Sequence, residues 1–240
     1  MNNKFWLCYL LLNMSLFSYA DQLPSSIKQL DNSQQLLLVI TQNESAVTGL
    51  LYLYQRADLR SVWKREGSIF PVVVGKNGML STIGKREGDG RTPMGIFALG
   101  PIFGFAQRDS AYFPYYRLTV DSVCVDDPQS HYYNKLINSN AIDQPDWHSA
   151  EHMRSVPQYR LGAVLQYNVQ KPIPGAGSCV FLHSWRNSKQ GTTGCVALSA
   201  TALQFVLWQL DSKKRPIIAL FTQSAYRAVQ VRFPDRLPKL

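Results

Sequence analysis

Turn-forming residues divide the chain into short apolar runs, each about the length of a β-strand. Several runs alternate apolar and polar positions, which is the period of a strand with one buried face. The runs predicted as strands are 36–42, 47–54, 69–74, 96–100, 115–125, 162–169, 178–183 and 216–221. So many short strands at turn-punctuated spacing predict a mainly β fold, a β-sandwich or barrel-like sheet with a few packed helices.

A helix is predicted directly after Cys195. Ser199 can cap its N-terminus, and the polar run 211–216 ends it. The apolar residues that share one face of this helix are Leu203, Val206, Leu207 and Leu210. A second helix is predicted over 149–156, within a loop-rich stretch, 126–160, that we interpret as an insertion covering or lining a cleft.

The first 20 residues have the layout of a secretory signal peptide. Lys4 precedes an apolar run over 5–17, and Ser18 and Ala20 are the small residues that a signal peptidase needs. The apolar run has 13 residues, fewer than the ~20 of a membrane-spanning helix. We therefore expect secretion across the inner membrane to the periplasm or cell wall, with no stable membrane insertion after the signal is cleaved.

The rest of the chain is predicted to form one domain. Its divisions are a lead segment over 21–35, the domain itself over 36–221 and a C-terminal tail over 222–240, of which 232–240 is expected to be solvated. Hydrophobic residues make up 45% of the sequence, which is enough for a packed core and argues against intrinsic disorder.

The chain is basic, with a net charge of +9 at pH 7 and basic residues scattered along its length. This balance suits a polyanionic environment such as cell wall, lipid headgroups or nucleic acid. Because the export signal takes the protein away from nucleic acid, we expect no nucleic-acid partner.

The cysteines leave an odd number of thiols in the mature chain. Removal of Cys8 with the signal leaves Cys124, Cys179 and Cys195, so at least one is unpaired. Two interpretations stay open: three buried free cysteines, or a reactive thiol with or without a Cys124–Cys179 bridge. No CxxC or Cys/His spacing of a zinc site occurs, so we expect no metal and no cofactor.

The stretch FLHSWRNSKQGTTGCVALS, residues 181–199, carries the candidate chemistry. His183 ends an apolar run, and the loop that follows can bring it back to Cys195. A thiol with a pKa of ~8.5 is mostly protonated at neutral pH, and a neighbouring imidazole can take its proton to give a nucleophilic thiolate. The alternative is a buried cysteine without a catalytic role, since cysteine is among the most buried residue types.

The neighbours of Cys195 suit a catalytic loop. Gly194 leaves no side chain beside the sulfur, and the amides of Thr193, Gly194 and Cys195 are candidates to bind a developing oxyanion. Trp185, Arg186 and Thr192 place aromatic, cationic and hydroxyl groups in the same loop, where they are candidates for substrate binding together with Thr193.

The segment H-x-W-R…T-T-G-C-V-A-L resembles the L,D-transpeptidase catalytic domain, or YkuD domain, whose hallmark is a His followed by [S/T]-x-G-C. The resemblance extends to REGDGRTPMGIFALG at 86–100, with a Thr-Pro-x-Gly-x-Phe core. It also includes VDDPQSHYYNKLI at 125–137, YRLGAVLQYN at 159–168 and GSCVFLH at 177–183, which are similar to a divergent exported branch. It covers about residues 36–221.

Carried over to this chain, the resemblance implies that Cys195 is the nucleophile and His183 the general base. Gly194 matches the motif glycine and Thr192 the Ser/Thr position. Thr193 stands where most members have His, and Ala197 where most have Arg.

The missing motif Arg leaves open how a substrate carboxylate is held. Arg186 is the candidate substitute, because guanidinium groups bind carboxylates bidentately.

The resemblance implies two-step acyl transfer on peptidoglycan stem peptides. A thioester at Cys195 would form with loss of the terminal D-alanine, and an amine of a neighbouring stem would then complete a crosslink. Attack by water would instead make the protein an L,D-carboxypeptidase. A catalytically silent module that binds the cell wall is the alternative from another class.

Other polar residues have simpler interpretations. Asp126 and Asp127 are predicted to form a turn rather than a catalytic pair. The histidines of the loop-rich middle, His131, His148 and His152, are placed in the cleft or on the surface. The loop over 84–95 lacks the Gly-Lys-Ser/Thr ending of a nucleotide-binding loop, so we predict a structured turn beside the site.

Overall fold

The computed structural model describes residues 27–107 and 113–239. The predicted signal peptide, 1–20, lies outside the described residues. Within the described ranges, every helix is too short or too polar to cross a bilayer.

β-Strands are the main regular secondary structure of the described residues. They are β1 Gln35–Thr41, β2 Thr48–Gln55, β3 Lys64–Val73, β4 Met79–Ser81, β5 Thr92–Gly104, β6 Tyr115–Arg117, β7 Ser122–Val125, β8 Leu136–Asn138, β9 Ala150–His152, β10 Leu161–Leu165, β11 Phe181–Ser184, β12 Val196–Leu198 and β13 Ile217–Thr222. The helices are α1 Ala200–Trp208 and α2 Gln223–Arg232, with a further helical turn over 27–31. Short 3-10 helices cover Ser139–Ala141, Met153–Ser155, Pro157–Arg160 and Ser212–Lys214.

The main sheet closes on itself. Its strand order is β10-β11-β12-β3-β2-β1-β13-β5, and β5 also pairs with β10, which joins the two ends. The other strands of this sheet, β4 and β6, are attached to β5. Closure removes the exposed strand edges that an open sheet would have. The mainly β, barrel-like fold predicted from the sequence is confirmed.

The central strands β1 and β13 are buried on both faces. They run parallel, and every residue of each strand is buried, as expected for the near-continuous apolar runs of parallel pairs. Leu37 and Val39 belong to the core cluster inside the barrel, whereas Leu36 and Leu38 belong to an outer cluster. That outer cluster is covered by α2 and by the helical turn at 27–31.

Helix α1 packs on the barrel beside the predicted catalytic stretch. The Ser199 hydroxyl accepts a hydrogen bond from the Ala202 amide and so caps the helix as predicted. Leu203, Val206 and Leu207 are buried in the barrel core. The helix follows directly on β12, so its packing fixes the end of the strand that Cys195 precedes.

The stretch 126–160 contributes β8 and β9 to a second, small sheet, in which both strands pair with β7. This sheet has the order β8-β7-β9, and a Cys124–Cys179 disulfide with Cα atoms 6.0 Å apart joins it to the segment before β11. Cys124 and Cys179 are bridged, and Cys195 is the free cysteine of the described residues.

One prediction of local structure was wrong, and another was incomplete. The stretch 149–156 is not a helix, because Ala150–His152 hydrogen-bonds to β7 as a strand and Met153–Ser155 forms a 3-10 turn. The closing tail is not merely solvated. Helix α2 buries Tyr226 and Val229, and Leu237 is 4% exposed in the same cluster. In both places contacts distant in sequence supply the partners that a local pattern cannot show.

Candidate active site

The candidate catalytic residues lie on neighbouring parallel strands. His183 is in β11, and Cys195 immediately precedes β12, in a register that pairs Leu182 with Val196 and His183 with Ala197. This register places Cys195 beside Phe181, whose amide donates a hydrogen bond to the Cys195 sulfur at 3.2 Å. The intervening loop thus folds back and places the two residues on neighbouring strands.

The Cys195 thiol is largely enclosed. The residue is 5% exposed, and its Sγ donates to the carbonyl of Cys179 at 3.5 Å. Burial, followed by the nearby carboxylate of Glu151, raises the pKa of the Cys195 thiol to about 12. The resting cysteine is therefore a neutral thiol at physiological pH.

The backbone orients the imidazole of His183. Its Nδ1 lies 2.8 Å from the carbonyl oxygen of Ser184, and since a carbonyl only accepts, we assign the ring proton to Nδ1. That leaves the lone pair of Nε2 to accept a proton. Burial lowers the pKa of His183 to about 4, so the resting imidazole is neutral.

Tyr159 connects the two candidate catalytic residues. Its ring packs edge-on against the His183 ring, with centroids 5.2 Å apart, and it is buried in one cluster with Cys195, whose pKa its hydroxyl lowers. Among the hydrogen bonds of the described residues, none joins His183 directly to Cys195. The structure thus shows a neutral thiol and a neutral imidazole arranged around one tyrosine, rather than a preformed ion pair.

Glu151 completes this group of residues. The Tyr159 hydroxyl donates to Oε1 of Glu151 at 2.7 Å. Burial and then the nearby Asp126 charge raise the pKa of the Glu151 carboxyl, while the Tyr159 hydrogen bond lowers it. Neither Glu151 nor Tyr159 was predicted as a site residue; their place in the predicted cleft-lining insertion, 126–160, was the available signal.

Two cavities open on the candidate site, each of about 340 Å³. The first, here called the imidazole-side cavity, is lined by His183 and by the predicted substrate-binding residues Trp185, Arg186, Thr192 and Thr193. The second, the thiol-side cavity, is lined by Cys195, Gly194 and Lys85. Glu151 and Thr193 line both cavities, so the two adjoin at these residues.

The loop before Cys195 is shaped by Thr192 and Gly194. Gly194 has φ of +150°, a conformation that favours glycine. Its amide donates to the Thr192 hydroxyl at 3.1 Å, and that hydroxyl donates to the Cys195 carbonyl at 2.7 Å. The Gly194 amide, predicted as an oxyanion donor, is therefore already engaged, and the Thr193 and Cys195 amides are the remaining candidates.

Thr92 braces the same loop from the other side. Its buried hydroxyl accepts a hydrogen bond from the Gly75 amide at 2.9 Å. The same hydroxyl donates its proton between two carbonyls, that of Gly194 at 2.8 Å and that of Cys195 at 3.1 Å. Thr92 begins the Thr-Pro-x-Gly stretch at the start of β5. The conformation of the nucleophile loop thus depends on a strand far from it in sequence.

The loop over 84–95 forms the structured turn beside the site that the sequence predicted. Lys85 is 4% exposed, forms a salt bridge to Asp89 at 2.9 Å and lines the thiol-side cavity. Glu87 accepts hydrogen bonds from the hydroxyls of Tyr133 and Ser178. These bonds join the turn to the insertion and to the segment before β11.

Of the remaining polar candidates, Asp126 lines the thiol-side cavity, and the others line neither cavity. Asp127 accepts from the amide of Gln129, which confirms the predicted turn. His131 and His148 are exposed and paired with Asp146 and Asp127. Among the described residues, no three His, Cys, Asp or Glu side chains are arranged to hold a metal ion.

Another cavity of about 560 Å³ lies near the helical turn at 27–31 and is lined by residues such as Leu99 and Phe113. None of the predicted site residues lines it.

Comparison with known proteins identifies the family. The chain matches no curated protein and no solved structure significantly. The family model of the L,D-transpeptidase catalytic domain, YkuD, matches residues 49–218, a range that runs from β2 into the start of β13 and includes the nucleophile loop and both cavities. The chain therefore belongs to the L,D-transpeptidase catalytic domain family.

Proposed function

We propose that this protein is an exported cysteine acyltransferase that acts on peptidoglycan stem peptides, with a thioester acyl-enzyme at Cys195. The observation that carries the proposal is the free thiol of Cys195 in a cleft beside a buried imidazole whose Nδ1 is fixed by the Ser184 carbonyl. L,D-transpeptidation is the activity for which the matched family is named.

In the first step, Sγ of Cys195 attacks the carbonyl carbon of the third stem residue. The thiol proton passes to Nε2 of His183 and from there to the departing amine of the terminal D-alanine. The C–N bond breaks and a thioester remains. Because Cys195 and His183 are both neutral at rest, an ion pair formed before the attack would place two charges in a buried site, which is costly. The thiol proton therefore moves to His183 while the sulfur attacks the carbonyl carbon.

The negative charge that develops on the carbonyl oxygen needs donors. The amides of Thr193 and Cys195 are the candidates, since the Gly194 amide is held by Thr192. Thr92 and Thr192 hold the carbonyls of this loop, so they would keep these amides in place through the reaction.

In the second step, an amine of another stem attacks the thioester carbonyl and gives its proton to His183, and the thiol is restored. Two cavities that adjoin at Glu151 and Thr193 offer space for both a donor and an acceptor chain. This favours transfer over hydrolysis by water, the L,D-carboxypeptidase alternative.

The proposal also includes a replacement for the motif arginine. The position of the motif arginine is occupied by Ala197, which is fully buried in β12. This position therefore offers no cation to a substrate. Arg186 lines the imidazole-side cavity and Lys85 the thiol-side cavity. Of these two, Arg186 is the proposed carboxylate partner because Lys85 is already paired with Asp89.

The first test is covalent labelling. A carbapenem incubated with the purified protein is expected to form an adduct on Cys195, located by peptide mass spectrometry, and the Cys195→Ser variant is expected to form none. Wild-type protein without an adduct would contradict the acyl-enzyme and favour the silent wall-binding module.

A second test identifies the reaction. Tetrapeptide muropeptides are incubated with wild type and with Cys195→Ser, and the products are analysed by mass spectrometry. Crosslinked dimers are expected from wild type alone. Tripeptides without dimers would identify the carboxypeptidase instead.

A further inference from the structure

Glu151, Tyr159 and Cys195 form a chain of contacts that the two-residue mechanism does not use. The Tyr159 hydroxyl has a single proton, which it donates to Oε1 of Glu151 at 2.7 Å. Tyr159 is buried in the same cluster as Cys195, and its hydroxyl is one of the groups that lower the pKa of the thiol. While the proton is on the Glu151 side, the hydroxyl can only accept from the thiol and cannot donate to a thiolate.

The carboxylate and a thiolate therefore compete for one donor. They also repel each other, since the Glu151 charge is one of the causes that raise the pKa of Cys195. Conversely, a hydrogen bond from Tyr159 to the sulfur lowers that pKa. The direction of one O–H bond thus decides which of the two anions is stabilised.

Glu151 is placed where a substrate can change this balance. It lines both cavities, and its Oε2 has no hydrogen-bond partner among the described residues. The other charged groups that line the two cavities are Asp126, Glu87 and Lys85 on the thiol side, where Lys85 is paired with Asp89, and Lys76 and Arg186 on the imidazole side. A cation supplied by the substrate would therefore find an accessible carboxylate oxygen at Glu151.

We propose that Glu151 is a positioning residue which, through Tyr159, keeps Cys195 in its thiol form until an ammonium group of the substrate enters beside the carboxylate. The ammonium then donates to Glu151, the Tyr159 hydroxyl rotates to donate to the sulfur, and the thiol proton passes to His183 as the sulfur attacks. Tyr159 keeps its own proton throughout. The ammonium part rests on the proposed function, because the third stem residue is usually a diamino acid.

The charge coupling is tested without a substrate. Iodoacetamide alkylates only the thiolate, so the alkylation rate of Cys195 at about pH 8 reports the thiolate fraction. It is read from the peptide that carries Cys195 by mass spectrometry. Glu151→Gln is expected to raise this rate about tenfold, and Tyr159→Phe, which loses the donor, is expected to lower it.

The opposite changes in alkylation rate expected for Glu151→Gln and Tyr159→Phe distinguish this role from a structural one. A loosened site would expose the thiol and raise the rate in both variants. Asp126→Asn is the matched control, since it removes a carboxylate from the same cavity without touching Tyr159, and its rate is expected to stay near wild type. Equal rates in Glu151→Gln and wild type, or parallel changes in Glu151→Gln and Tyr159→Phe, would overturn the proposal.

The ammonium part is tested with two synthetic stem tetrapeptides, one with a free amine on the third residue and one with that amine acetylated. Wild type is expected to form the acyl-enzyme at least about tenfold faster with the free amine, and Glu151→Gln is expected to lose this preference. Equal rates of acyl-enzyme formation with the two peptides in wild type would overturn the ammonium part of the proposal. If neither peptide acylates the wild type while the alkylation rates change as expected, the proposed substrate fails and the ammonium part fails with it, but the charge coupling is retained.

Discussion

The carbonyl oxygen of Cys179 accepts a hydrogen bond from the Cys195 sulfur at 3.5 Å, so one member of the disulfide lies against the free thiol. Cys179 also has φ of +52°, a left-handed conformation that is uncommon for a residue with a side chain. The bridge to Cys124 in β7 and the hydrogen bond from its amide to the Asn134 side chain hold this conformation. The disulfide therefore positions the floor of the active site as well as joining the insertion to the barrel.

Removal of the disulfide is expected to impair both stability and acylation. Replacing Cys124 and Cys179 with alanine opens a bridge that spans 55 residues and should cost about 2–4 kcal/mol in free energy of unfolding. The acylation rate of Cys195 by a carbapenem should fall at a temperature where the variant remains folded, as verified by circular dichroism. A folded variant with the wild-type acylation rate would show that the Cys179 carbonyl has no part in positioning the thiol.

The pH dependence of acylation should reflect the buried imidazole. The general base is active when neutral, and the pKa of His183 is lowered to about 4. The rate of acylation should therefore fall only as the pH drops through about 4, instead of near the ~6.5 of an exposed histidine. Stopped-flow measurement of carbapenem acylation across this range tests it, and a midpoint near the unperturbed value would contradict the buried, neutral base. His183→Asn should reduce the plateau rate by about 10²–10⁴-fold.

The same pKa shift predicts how stability changes with pH. Between about 4 and 6.5 the unfolded chain binds a proton on His183 that the folded chain does not, so stability rises with pH in this range and is lost as the pH falls. His183 should therefore lower the free energy of unfolding by about 3 kcal/mol between about pH 6.5 and pH 4. Denaturant unfolding of wild type and His183→Gln at several pH values isolates it. The free energy of unfolding of wild type relative to His183→Gln should increase by this amount as the pH rises from about 4 to 6.5. A difference that does not change with pH would count against the lowered pKa of His183.

Much of the fold followed from local patterns, because strand length, turn residues and the Ser199 cap act over a few neighbouring residues. The nucleophile loop was likewise recognisable, since His183, Gly194 and Cys195 lie close in sequence. The partners that shape the site come from elsewhere in the chain. Glu151 and Tyr159 approach Cys195 only because β9 pairs with β7 and the disulfide joins β7 to the segment before β11. No periodic pattern marks such contacts, and the stretch around Glu151 even resembled a helix.

Thr92 is expected to support catalysis without touching the substrate. Thr92→Val keeps the shape of the side chain but removes the hydroxyl that holds the Gly194 and Cys195 carbonyls, leaving buried polar groups without partners. We expect a loss of about 1–3 kcal/mol in stability and a slower acylation of Cys195. Thr92→Ser restores the hydroxyl and should recover most of the acylation rate. Equal acylation in wild type and the valine variant would show that the loop holds its conformation without this brace.

Arg186 and Lys189 offer a comparison of two exposed cations in the same loop. Arg186 lines the imidazole-side cavity, whereas Lys189 is not among the residues that line either cavity. If Arg186 holds a substrate carboxylate, Arg186→Ala should raise KM for a tetrapeptide stem at least about tenfold, since charged hydrogen bonds contribute about 1.5–3 kcal/mol. Lys189→Ala should leave it near the wild-type value. Steady-state kinetics on the same peptide decide between them, and similar effects of the two substitutions would mean that the loop contributes general positive charge rather than a specific carboxylate site.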